Sequence, residues 1–194
     1  TNGDVTVDGI TAANSNNISG TLTINATNAA SSISFSNTAS TFNTLTANAG
    51  NSITGNIPVT TDTGGLSFSA GAGITLNDTV TTAGATTIDA DSDDSGAGTF
   101  SLNNALNTSN NTLSITADDV AISNTINTGS AAVTILASDG GTIGLGATAG
   151  GLTLSGAELQ NITATGLTIG DATNGNITVD GITAANSNNI TGTV

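Results

Sequence analysis

Residues 66–76 read Leu-Ser-Phe-Ser-Ala-Gly-Ala-Gly-Ile-Thr-Leu. Two apolar–x–apolar triplets, Leu66/Phe68 and Ile74/Leu76, are separated by small residues and followed by the turn pair Asn77-Asp78. The triplet recurs at Val5/Val7, Leu22/Ile24, Ile33/Phe35, Ile57/Val59, Phe100/Leu102, Leu113/Ile115, Val120/Ile122, Val133/Ile135, Ile143/Leu145, Leu152/Leu154, Leu167/Ile169 and Ile177/Val179. Single anchors lie between them at Ile18, Leu45, Ile53, Val80, Ile88, Leu106, Ile126 and Leu159–Ile162. The middle residue is nearly always Thr, Ser, Ala or Gly, and this period-two alternation is that of a short strand with one buried face. Asn and Gly close behind the triplets supply turns. No segment sustains a 3.6-residue apolar pattern, so the chain reads as all-β.

Strands this short fit a parallel solenoid better than a meander sandwich, which needs longer strands and a larger aromatic core. The fold expected is a right-handed parallel β-helix of about 20 residues per coil, right-handed because parallel crossovers are. That gives eight or nine coils in 172 residues, each advancing the stack by ~4.8 Å. Inward Val, Ile and Leu then form columns, and Asn at the corners can ladder its amides or adopt left-handed backbone. Pro58, inside Ile57-Pro58-Val59, cannot donate to a ladder and marks a bulge, a strand end or a loop. A sandwich array and a disordered linker are the alternatives, and the even aliphatic spacing argues against disorder.

The chain also repeats itself. Residues 1–22, TNGDVTVDGITAANSNNISGTL, return at 173–194 as TNGNITVDGITAANSNNITGTV, with 18 of 22 positions identical. The differences, Asp4/Asn176, Val5/Ile177, Ser19/Thr191 and Leu22/Val194, are near-isosteric. Self-similarity at fixed spacing points to an array. Residues 1–172 are therefore read as one tandem unit and 173–194 as the start of the next. With Thr1 in place of an initiator Met, the chain reads as part of something longer.

Composition narrows function. The 194 residues hold 14 acidic side chains and no Lys, Arg, His, Cys, Met, Trp or Tyr, giving a formal net charge of −14. The usual general bases, Schiff-base lysines and thiol nucleophiles are absent, so no enzyme is expected. Imidazole- or thiolate-bound metals have no ligands here. Nucleic acid and anionic lipid are repelled rather than bound. No apolar stretch approaches the ~18 residues of a membrane span, so membrane insertion is not expected. A structural or binding role is left.

The segments LTLSGAELQNITATGLTIG (152–170), NITVDGITAANSNNITG (176–192) and ISFSNTASTFNTLTANAG (33–50) resemble repeat regions of large bacterial surface proteins. The similarity is to filamentous-haemagglutinin-like adhesins and autotransporter passenger repeats. It is one of composition and strand cadence over the whole chain. The resemblance implies a β-helical shaft, export, and display outside the cell or on the bacterial cell surface. Partners would be further copies of the same repeat in the same chain, and lateral fibre neighbours.

Three places are candidates for chemistry. Asp89, Asp91, Asp93 and Asp94 lie in the one charge-dense stretch, where alternate carboxylates can converge on calcium. Asp94 and Phe100 stand where an EF-hand-type loop needs Gly and Glu, and a solvated loop is the competing reading. No cofactor is required, and calcium is the one candidate ligand. Asp118-Asp119 is an adjacent carboxylate pair of the kind glycosidases use, read here as solvated turn residues. Exposed Thr ranks suit an ice- or carbohydrate-binding face, but along the chain Thr alternates irregularly with Ser, Ala and Gly. The function expected is mechanical, a module of a long extracellular fibre, stalk or adhesin shaft built from tandem β-solenoid repeats, with the carbohydrate- or ice-binding module as the alternative.

Overall fold

The computed structural model describes residues 3–194. Strands make up 44% of the chain, and every pairing among the described residues is parallel. That removes the antiparallel sandwich and is consistent with a parallel β-solenoid. One ladder holds β1 (Val5–Val7), β3 (Ile33–Phe35), β6 (Ile53–Gly55), β9 (Ile74–Leu76), β12 (Thr99–Leu102) and β15 (Asp119–Ile122). A second runs through β2 (Leu22–Ala26), β5 (Leu45–Ala49), β8 (Leu66–Ala70), β11 (Thr86–Asp89), β14 (Leu113–Ala117) and β17 (Ala132–Ala137). The third holds β4 (Ser40–Phe42), β7 (Val59–Thr61), β10 (Val80–Thr81), β13 (Leu106–Asn107) and β16 (Ile126–Asn127). The long strand β20 (Ile162–Ile169) pairs with β16 at its start and β17 at its end, merging the second and third ladders into one 13-stranded sheet that includes β22 (Ile190–Thr193). The last sheet has β18 (Ile143–Gly146) between β19 (Leu152–Leu154) and β21 (Ile177–Asp180).

Registers measure the winding. Along the second ladder the aligned residues are Leu22, Leu45, Leu66, Thr86, Leu113, Val133 and Leu167, with steps of 23, 21, 20, 27, 20 and 34 residues. Uninterrupted steps match the expected 20. The 27-residue step carries the acidic loop after β11, and the 34-residue step carries β18 and the segment around it. These insertions lower the expected eight or nine turns, because one further step, from Gly166 to Thr193 after a register shift, brings the ladder to Val194, the counterpart of Leu22. Strand β18 also breaks chain order, which short-range patterning could not reveal.

The core is a set of columns. Ile33, Ile53, Ile74 and Phe100 align on the first ladder and are wholly buried. Large and small residues alternate where rings enter: Phe35 pairs with Gly55, and Phe68 with Ala47. Phe35 stacks on Phe68 at 5.5 Å and meets Phe42 edge-on at 6.3 Å. A core this narrow holds close packing only if neighbouring rungs compensate in volume. Each buried Ile, Leu or Phe contributes ~1.5–3 kcal/mol.

Corners are satisfied by repeated side chains. Thr61, Thr82, Thr108 and Thr128 are buried, and their hydroxyls donate to the carbonyls of Gly64, Gly84, Asn111 and Ala131. Asn amides ladder from Asn103 to Asn77 to Asn56, each at 2.8 Å, and from Asn48 to Asn25 at 2.8 Å. Asn37 and Asn110 take left-handed backbone at φ 63° and 67°, as the turn chemistry anticipates. Pro58 lies just before β7, at the strand start, where only its carbonyl is used.

Among the described residues three short helices depart from the all-β reading: α1 (Ala12–Ser15), α2 (Gly156–Gln160) and α3 (Ala184–Ser187). Four or five residues cannot display a helical period, but their caps are in the sequence. Ser155 and Glu158 form a capping box, with Glu158 N donating to Ser155 Oγ at 3.3 Å and Ser155 N to Glu158 Oε2 at 2.8 Å.

Candidate functional site

The acidic stretch forms the connection between β11 and β12, and the structure divides its four carboxylates. Asp91 is fully buried. Its Oδ1 accepts from Ser95 N and Ser95 Oγ, both at 3.1 Å, and its Oδ2 from Gly96 N at 3.0 Å and Ser138 Oγ at 2.6 Å. Burial pushes the Asp91 carboxyl up, but these donors outweigh it and hold it below its ordinary value. Asp91 thus closes its own loop and ties it to a rung two steps along. Asp89 is half-buried at the end of β11, and burial, with the nearby charges of Asp94 and Asp91, raises it despite a backbone hydrogen bond. Asp93 and Asp94 are exposed, Asp94 at φ 51°. Among the described residues no three carboxylates are arranged to hold a metal ion.

The Asp118-Asp119 pair is split. Asp119 Oδ1 accepts from Thr153 N at 2.8 Å and Thr153 Oγ1 at 3.0 Å, holding β19 alongside β15. Burial raises the Asp118 carboxyl, helped by the like charges of Asp139, Asp91 and Asp119. The grouping of Asp91 with Asp118 and Asp139 spans rungs, and no sequence spacing announced it.

Hydroxyls are more orderly than their chain order suggests. Thr23, Thr46, Ser67, Thr87, Ser114, Thr134 and Thr168 align in one outward rank across seven rungs of the second ladder. The irregular alternation along the chain becomes regular once register is applied. The rank beside it is mixed: Asn25, Asn48, Ser69, Asp89, Thr116 and Leu136. A shallow groove of about 320 Å³ runs along this face between Asn48, Ser69 and Asp93. It has no aromatic platform, since all four Phe are fully buried and Trp and Tyr are absent.

Among the described residues, exposed large apolar side chains are confined to the duplicated segments: Ile18, Ile177, Val179 and Val194. Among the described residues no helix is long and apolar enough to cross a membrane. No family model matches the chain, and no curated protein or solved structure matches it either.

Proposed function

We propose that this chain is a structural module of a long extracellular fibre, stalk or adhesin shaft, wound as a right-handed parallel β-helix of about 20 residues per coil. The observation that carries the reading is the parallel register of three ladders, kept without a shift as far as β15, β16 and β17, in which each rung supplies its neighbours' hydrogen bonds and no rung is complete alone. The mechanism is mechanical. Seven steps per 172-residue period advance the rod by ~34 Å, and the number of copies sets its reach. A charge of −14 with no basic residue keeps rods apart in solution. Absence of Lys and Arg also leaves no tryptic sites. Electron microscopy of the native assembly tests this: continuous thin fibres are expected, and isolated compact particles would overturn it.

A second reading has its own observation. The seven-rung hydroxyl rank supports an ice- or carbohydrate-binding face, whereas Asp89 and Leu136 in the adjacent rank weigh against a flat two-rank surface. Thermal hysteresis, or retention on a glycan array, is its test, and neither is expected if the chain is a shaft.

A further inference from the structure

The two copies of the duplicated segment fold alike. Gly9 and Gly181 have φ 65° and 71°. Thr11 and Thr183 open α1 and α3, their amides donating to Asn14 and Asn186 Oδ1 at 3.0 and 2.8 Å. Asn16 and Asn188 close the helices at φ −60°, ψ −22° and φ −59°, ψ −22°. Their surroundings are opposite. Val7 is 7% exposed and its counterpart Val179 is 60% exposed, whereas Ile18 is 39% exposed and its counterpart Ile190 only 7%.

The backbone explains the inversion. Val5 N donates to Ser32 O and Val7 O accepts from Ser36 N, so β1 turns the polar groups of residues 5 and 7 toward β3. On β21, Asn176 O accepts from Ile143 N and Asp180 O from Ala147 N. A parallel strand offers alternate residues to each neighbour, so β18 occupies 176, 178 and 180. That leaves Ile177 and Val179, the counterparts of Val5 and Val7, on an open edge. The helices follow the same rule. α1 is held by Ser15 Oγ donating to Thr41 O at 3.1 Å and Asn43 Nδ2 to Ile18 O at 2.9 Å. α3 is held from its other side, by Gln160 Nε2 donating to Ala185 O at 3.1 Å, while its Asn186 Nδ2 donates to Gly156 O at 3.0 Å. The two sets of contacts do not compete for the same groups.

We propose that residues 173–194 are a shared coil, which closes this unit on one face and on the other receives the Ser31–Leu45 surface of a further copy of the unit. The register is that of the first copy, with Ile177, Thr178 and Val179 opposite the next copy's Ile33, Ser34 and Phe35. This rests on the tandem-array reading and adds that the joint is seamless, with no linker or hinge between units. The occupant is identified by the cover the same segment already wears in its first copy. Open apolar strand edges are otherwise a liability that proteins blunt with charge or cover, and Ile177 and Val179 do neither.

Amide hydrogen exchange tests the joint. The 194-residue chain is compared with a two-unit chain in which a second copy of residues 23–194 follows Val194. Ile177 and Val179 amides should exchange ~100-fold or more slowly in the two-unit chain, as new ladder bonds close them. The Thr178 amide, which faces β18, should be protected in both. Unchanged rates at Ile177 and Val179 would overturn the shared coil. Small-angle scattering separates that failure from failure of the fibre reading. Two rods on a flexible joint remove only the shared coil, whereas one unit that is not a rod removes the shaft itself.

Discussion

Residues 5–22 and 177–194 are almost the same sequence with the same glycine turn and short helix, yet one copy buries side chains that the other exposes. Val7 and Val179 differ in nothing but which neighbour lies beside them. The lesson is that in a stacked coil burial belongs to the rung pair rather than to the residue. Local alternation selects the face that points inward, and the adjacent rung decides whether that face is covered.

The sharpest way to break the comparison is a charge. Val7→Asp should destabilise the chain by ~3–5 kcal/mol, since an unpaired carboxylate would be placed in an apolar column. Val179→Asp should stay within ~0.5 kcal/mol. Equal losses in urea denaturation would mean that the copies share one environment. The reverse asymmetry is expected at the other pair. Ile190→Ala should cost ~2–4 kcal/mol by leaving a cavity, and Ile18→Ala under ~1 kcal/mol, again read from denaturation midpoints.

The same contrast operates within the acidic loop. Asp91→Ala would leave four donors without their acceptor, with an expected loss of ~2–3 kcal/mol, whereas Asp93→Ala should be nearly silent. Protonation gives this a sign. Asp89 and Asp118 are raised in the folded chain, so the folded state takes up their protons first and stability increases as pH falls toward their ordinary range. Asp91 is lowered, so its contribution is complete above the unfolded value of ~3.9 and is lost as pH falls through its folded value. Melting temperature should therefore rise on mild acidification and fall below about pH 4, and Asp91→Asn should flatten the acid fall. A melting curve that falls steadily from pH 7 would contradict this assignment. The smallest effect belongs to the Asn ladder. Asn77→Ala should cost ~1 kcal/mol by breaking two side-chain bonds, and a calorimetric shift no larger than that of Asn28→Ala, at an exposed position just after β2, would remove the ladder's role.

Much of this architecture was legible because period-two alternation directly records an inward and an outward face. Every triplet from Val5/Val7 to Ile177/Val179 contributes to a strand, with Ile57 and Pro58 just ahead of β7. Information that crosses rungs was not legible. Asp91 sits in a run that looks solvated, and its donor Ser138 lies 47 residues away. The hydroxyl rank from Thr23 to Thr168 emerges only when register is known. β18 lies out of chain order because its edge partners come from segments separated by a turn on one side and a long excursion on the other. The helices were within reach, since Ser155 and Glu158 have capping-box spacing, but the four residues Ala-Ala-Asn-Ser of α1 and α3 carry no apolar period.

Fibre diffraction from an aligned specimen tests the parallel coil stack most directly. Strands run across the axis and rungs repeat along it, so a reflection near ~4.8 Å should lie on the meridian. A 4.8 Å reflection on the equator, from strands running along the fibre, would contradict the stack and the shaft built on it.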